Sequence, residues 1–142
     1  EILSKGPGVT DREMLQAAVL HDVVEDTTCS IGEIESRYGQ GVANKVDWLT
    51  KSPPREGMSK QQIKDEYFER LVSAPEDVIT IKLADRLSNV QKLDTHPRPK
   101  KQRSYYLETL ERILPLARNI DWFSQKFEEW RQHFSYLELE EV

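Results

Sequence analysis

What constrains this chain most is the spacing of its apolar residues, which from Leu15 to Phe134 return every third or fourth position and nowhere alternate for long enough to make a half-buried strand. A period near 3.6 lays a stripe along one side of a helix. An all-α fold is therefore expected, and helix-start and helix-stop signals divide it. Leu15, Ala18, Val19 and Asp22 mark a helix over 11–27 with Thr10 or Asp11 at its N-cap. Ser30 with Glu33 forms an S-x-x-E capping box, and Tyr38-Gly39 supplies a left-handed stop, which bounds a helix over 31–38. Val42, Val46 and Leu49 mark a third helix, closed by Lys51-Ser52-Pro53-Pro54-Arg55-Glu56-Gly57, where two prolines and a glycine forbid regular structure.

Ser59 and Gln62 cap another helix from 60 to about 73, with Ile63, Tyr67 and Leu71 four apart. Pro75 opens the next, with Glu76 and Asp77 at the positive end of its dipole and a stripe of Ile79, Leu83, Leu87 and Val90. Val78 to Ile81 alone would pass for a strand, but the stripe runs past it. Thr95 to Arg98 is a proline-broken turn, and Tyr106, Leu110, Ile113, Leu114 and Ala117 describe a long helix that Pro115 should kink or end. Phe123, Phe127, Trp130 and Phe134 form a last aromatic stripe, before a tail from Leu137 to Val142 expected to fray.

Length and composition narrow the function classes. The 142 residues suit one domain over 1–142, and no apolar run approaches the roughly 20 residues of a membrane span, so a soluble protein is expected. A single Cys29 cannot close an internal disulfide, which fits a cytoplasmic location, and a net charge of −5 argues against non-specific nucleic-acid binding. Because the chain opens on Glu1 rather than Met and runs almost at once into an amphipathic pattern, further residues are expected upstream.

The chemistry concentrates in His21-Asp22-Val23-Val24-Glu25-Asp26, where helical spacing puts Asp22, Glu25 and Asp26 on one face with His21 alongside. That face continues the apolar stripe, so it points inward, where unpaired negative charge is costly. A divalent metal held by imidazole and carboxylates would answer the charge, and the imidazole favours Mn, Fe or Zn over Ca or Mg. The plainer reading is a solvated helix end and an ordinary half-buried histidine. A second segment, Lys82-Leu83-Ala84-Asp85-Arg86-Leu87-Ser88-Asn89, sets Asp85 and Asn89 four apart on one face, Asp85 to complete the metal shell and Asn89 to bond a ligand. Its plainer reading is an Asp85–Arg86 neighbourhood making surface salt bridges. Lys92, Arg98, Lys100, Lys101 and Arg103 stand against only Asp94, a basic stretch that suits a nucleotide polyphosphate or else a solvated turn. Tyr105 and Tyr106 can stack on a base or serve the core.

His-Asp followed by Glu-Asp in HDVVEDT, then IKLADRLSN some sixty residues later, then Glu-Thr-Leu and Pro-Leu-Ala, resembles the HD-type hydrolase domain of the RelA/SpoT alarmone enzymes. Val46-Asp47-Trp48-Leu49-Thr50-Lys51 resembles the segment between those motifs. The likeness covers most of the chain, whose 142 residues leave no room for the synthetase and regulatory domains of the long enzymes, so a likeness nearer to the small stand-alone alarmone hydrolases is expected. The resemblance implies an HD-domain helical bundle that lacks its N-terminal helices, and a manganese site of His21, Asp22 and Asp85. It further implies that Glu25 and Asp26 activate and orient water, that Asn89 and Tyr106 hold the nucleoside, and that Lys92 and Arg103 neutralise phosphate. The activity implied is removal of the 3′-diphosphate of (p)ppGpp as pyrophosphate, leaving GDP or GTP.

Two departures from the family pattern accompany the likeness. The family's further metal-binding His, in a His-Pro pair, and a basic residue that contacts guanine would fall before Glu1, and Ser88 stands where a His is common. His96 is followed by Pro but sits in the wrong place for a ligand, and His133 lies on the aromatic stripe. Two other readings stay open: an HD phosphohydrolase for another nucleotide, such as a 5′-nucleotidase, and a non-catalytic alarmone-binding module. Retention of Glu25-Asp26 argues for an enzyme. The number of subunits is left open.

Overall fold

The helical punctuation read from the sequence is present in a computed structural model, which describes residues 2–5, 11–26, 30–51 and 56–138, the side chains of Ser4, Lys5, Asp22, Glu25 and Asp26 excepted. In order, the helices are α1 (Ile2–Lys5), α2 (Arg12–Asp26), α3 (Ile31–Tyr38), α4 (Gln40–Leu49), α5 (Lys60–Val72), α6 (Glu76–Val90), α7 (Pro99–Glu108), α8 (Leu114–Ala117) and α9 (Asp121–His133). Short 3₁₀ turns cover Leu93–Thr95 and Ser135–Glu138, and a π-helical turn covers Thr109–Ile113. The fold is all-α, and the Val78–Ile81 run is helical. Thr10, Cys29 and residues 52–55 of the proline loop lie outside the described residues.

Local capping accounts for the boundaries. Asp11 Oδ1 accepts from the Met14 N–H at 3.0 Å, so Asp11 is an N-cap of α2. Ser30 Oγ accepts from the Glu33 N–H at 3.2 Å, and Ser59 with Gln62 completes a reciprocal capping box. Gly39, at φ 94°, ends α3 in a conformation that costs any residue with a Cβ.

The chain divides into two compact units, Gly8–Ile81 and Lys82–Val142 with Glu1–Pro7, the division falling within α6. In the 8–81 unit, Val42, Val46 and Leu49 of α4 are buried, as are Tyr67 and Leu71 of α5. The C-terminal end of α4 is tied to α5: Tyr67 Oη donates to the Leu49 carbonyl at 3.2 Å, and Arg70 Nη2 donates to those of Asp47, Trp48 and Thr50 at 3.4, 3.2 and 2.9 Å. These bonds satisfy carbonyls that a helix end leaves without donors. The buried side of α2 differs from the stripe expected. Ala17 and His21, four apart, are buried, whereas Val19 is 72% exposed and lines an open groove with Leu15, Leu20 and Tyr38. The neighbour that α2 packs on, α4, selects that flank.

In the 82–142 unit the aromatic stripe is the core. Phe123, Phe127, Trp130 and Phe134 are all buried, and Trp130 Nε1 donates to the Val90 carbonyl at 2.9 Å. Pro115 neither ends the long helix nor simply bends it. The preceding turn widens, with the Leu114 N–H reaching back to Thr109, so a residue without an N–H is admitted without breaking the helical run. The tail is folded where fraying was expected: Leu137 is buried at 1% exposure, and residues 139–142 of the tail lie outside the described residues.

Candidate functional site

In the 8–81 unit, α2 runs unbroken through Asp26, so the His-Asp…Glu-Asp spacing is helical along its whole length. His21 is 7% exposed, and its Nδ1 lies 2.9 Å from the Ala18 carbonyl. With the proton on Nδ1 that contact is a donated hydrogen bond, which fixes the ring and puts the lone pair on Nε2. Donation from one nitrogen to a backbone carbonyl is how metal-binding imidazoles are commonly oriented. The side chains of Asp22, Glu25 and Asp26 lie outside the described residues. Among the described residues no three His, Cys, Asp or Glu side chains gather closely enough to hold a metal. Imidazole nitrogen with carboxylate oxygen is nonetheless a donor set suited to a divalent transition metal, and the oriented His21 ring fits that use.

In the 82–142 unit, the second motif lies on α6 beyond Ile81. Leu83, Leu87 and Val90 are buried, and Asn89 is exposed on the other side, as the stripe required. Asp85 keeps 21% of its side-chain surface and pairs with Lys82, whose Nζ is 3.5 Å from Oδ2. Arg86 does not join it in a surface pair. It is 7% exposed and turns inward, with Nη2 2.6 Å from Glu108 Oε1. The sequence placed Arg86 at the surface and did not point to Glu108 or to the Lys82 contact. Spacing three made Lys82–Asp85 legible, but nothing local signals a partner 22 residues away.

The basic stretch forms a surface. Arg98, Lys100 and Lys101 line an open concavity of about 740 Å³ with Pro97, Pro99 and Ser104, and none of these six is acidic. Lys92 is exposed. Arg103 is half-buried, and its Nε is an enclosed donor without a hydrogen-bond partner among the described residues. His96 accepts the Arg98 N–H on Nδ1 at 3.1 Å and lies against the exposed Tyr105, ring centres 6.0 Å apart. His133 packs edge-on against Phe134.

Tyr106 requires a correction. Expected to hold the nucleotide, it is 0% exposed, stacked on Trp130 at 5.1 Å, with its hydroxyl donated to Glu138 Oε1 at 2.8 Å. Burial, reinforced by the Glu138 carboxylate, pushes its pKa up to about 12. A ring so enclosed is core, and of the adjacent pair it is Tyr105 that faces solvent.

The profile of the HD domain family matches residues 2–121. A probable guanosine-3′,5′-bis(diphosphate) 3′-pyrophosphohydrolase of Synechocystis is 39% identical over 131 residues, which is 90% of this chain and 17% of the relative. The guanosine-3′,5′-bis(diphosphate) 3′-pyrophosphohydrolase of Xenopus tropicalis is 38% identical over 92 residues, 65% of this chain and 50% of the relative. The chain thus spans half or less of either relative. Among solved structures, a metazoan ortholog of SpoT that hydrolyses ppGpp and plays a role in starvation responses superposes with a TM-score of 0.82 at 28% identity, covering 93% of this chain and 75% of that one.

Proposed function

The chain belongs to the HD domain family, and from that premise we propose that it is a metal-dependent hydrolase that removes the 3′-diphosphate of (p)ppGpp. The observation that carries the reading is the pair of motifs, HDVVED and KLADRLSN, each lying wholly on one helix, α2 and α6, in a chain 39% identical over 131 residues to a probable 3′-pyrophosphohydrolase. In the reaction, water adds to the phosphorus that bears the 3′ oxygen. The bond from that phosphorus to the 3′ oxygen breaks, the 3′ oxygen takes a proton, and pyrophosphate departs to leave GDP or GTP.

His21, through Nε2, and the carboxylates of Asp22 and Asp85 would hold the metal, for which we propose manganese. Bound there, it supplies Lewis acidity towards phosphoryl oxygen and a water of lowered pKa. Glu25 and Asp26 orient the attacking water and take its proton. Asn89 bonds the ribose, and Lys92 and Arg103 meet phosphate charge. Tyr106, enclosed by the aromatic core, has no part in this scheme.

The direct test incubates the full-length protein with Mn²⁺ and ppGpp and quantifies GDP and pyrophosphate. Release of both in equal amounts, abolished by a chelator, is the expected result. Metal binding without release would move the assignment to another nucleotide, and no metal binding would favour a non-catalytic alarmone-binding module.

A further inference from the structure

We propose that Arg86 and Glu108 are a positioning pair that sets the rotation of α6, and with it the presentation of Asp85 and Asn89. The inference rests on the roles given above to those two residues. Arg86 follows Asp85 directly in the chain yet is 7% exposed, with Nη2 2.6 Å from Glu108 Oε1 and Nη1 3.4 Å from Thr109 Oγ1. Thr109 is itself wholly buried and donates its hydroxyl to the Tyr105 carbonyl at 2.7 Å. The guanidinium is therefore held at two nitrogens by two consecutive residues, the last of α7 and the first of the π turn.

The geometry argues for orientation over stability. A planar fork gripped at two points fixes direction as well as distance, which a single ammonium cannot do. Neighbouring residues of a helix stand about 100° apart around its axis, so pinning Arg86 inward also fixes the azimuth of Asp85, one residue back, and of Asn89, which shares the face of Asp85. A buried ion pair is at the same time a weak source of stability, because its desolvation cancels much of its attraction. Lys82, paired with Asp85 at 3.5 Å, restrains the carboxylate locally, but both lie on α6 and turn with it.

The experiment replaces the pair by apolar residues of similar size, Arg86→Met with Glu108→Leu, in the full-length protein, and measures thermal midpoint, Mn²⁺ affinity by calorimetry, and kcat with KM. The expected result is a folded variant with a midpoint near that of the wild type, an Mn²⁺ affinity weakened about 10-fold or more, and a reduced kcat. Reversal of the pair, Arg86→Glu with Glu108→Arg, is expected to recover part of the affinity. Wild-type Mn²⁺ affinity in the folded apolar variant would overturn the proposal. Should that variant not fold, Arg86→Lys decides, since it keeps the charge and loses the fork: weakened Mn²⁺ binding supports the pair's role, and unchanged binding overturns it. A wild-type protein that binds no Mn²⁺ removes the metal reading and this inference together, an outcome distinct from equal binding by wild type and variant.

Discussion

His21 is held through Nδ1 by the Ala18 carbonyl at 2.9 Å, so His21→Ala deletes an oriented donor and not merely a ring. Weaker Mn²⁺ binding is expected of it by calorimetry, and the same of Asp85→Ala. Glu25→Ala should behave otherwise, keeping the metal while kcat for pyrophosphate release falls by about 100-fold or more. Retained turnover would strike Glu25 from the mechanism. Tyr106 supports a prediction of another kind. Its pKa is raised from 10.0 to about 12, so the folded state favours the neutral phenol, and the associated stability is whole below pH 10 and lost as pH climbs through the raised value. Tyr106→Phe is expected to flatten the alkaline fall in thermal midpoint between those limits and to leave kcat at neutral pH unchanged. A fall in kcat with the midpoint intact would return the residue to the site. Of these positions, His21 and Asp85 were legible because helical spacing displays them. The enclosure of Tyr106 was not, because it depends on Trp130 and Glu138, far along the chain.

Helix ends decide two further outcomes. The terminal carbonyls of α4 are held from α5 by Arg70, whose guanidinium also lies over Trp48, 5.8 Å from the ring centre. Arg70→Ala is expected to cost about 2 kcal/mol, since hydrogen bonds from a charged group contribute more than neutral ones, and urea denaturation would measure it. Arg70→Lys should recover part of the loss, since a single nitrogen, Nη2, meets all three carbonyls, while the planar contact with Trp48 is not replaced. At the N-terminal end of α7, Lys100 and Lys101 line the acid-free concavity, and Lys100→Gln with Lys101→Gln is expected to raise KM for ppGpp more than it lowers kcat. An unchanged KM would assign both to the solvated surface. Caps at Ser30, Ser59 and Gly39 were legible because each bond spans three or four residues. The π turn was not: Pro115 announces a disturbance, but whether the helix kinks, stops or widens depends on how Thr109 and Ile113 are buried around it.

For the molecule as a whole, a ligand that binds only the folded chain must stabilise it. Mn²⁺ at 100 times its dissociation constant is expected to add about 2.7 kcal/mol to unfolding, with a thermal midpoint that rises with metal and falls on chelation. A midpoint indifferent to Mn²⁺ would count against a resident metal. The sequence by itself determined the helical class, the order of the helices and the placing of the two motifs on α2 and α6. Those follow from the apolar period and from caps whose interactions close within one helical turn. Only the tertiary structure decided which flank of α2 is buried, with Ala17 and His21 inside and Val19 out, and that Arg86 turns away from the surface to meet Glu108. It also decided that Leu137 and Glu138 fold back on the core where fraying was expected. Each of these contacts joins residues more than twenty positions apart or turns on a neighbouring helix. No local pattern encodes them, because burial is settled by whichever surface the folded chain brings alongside.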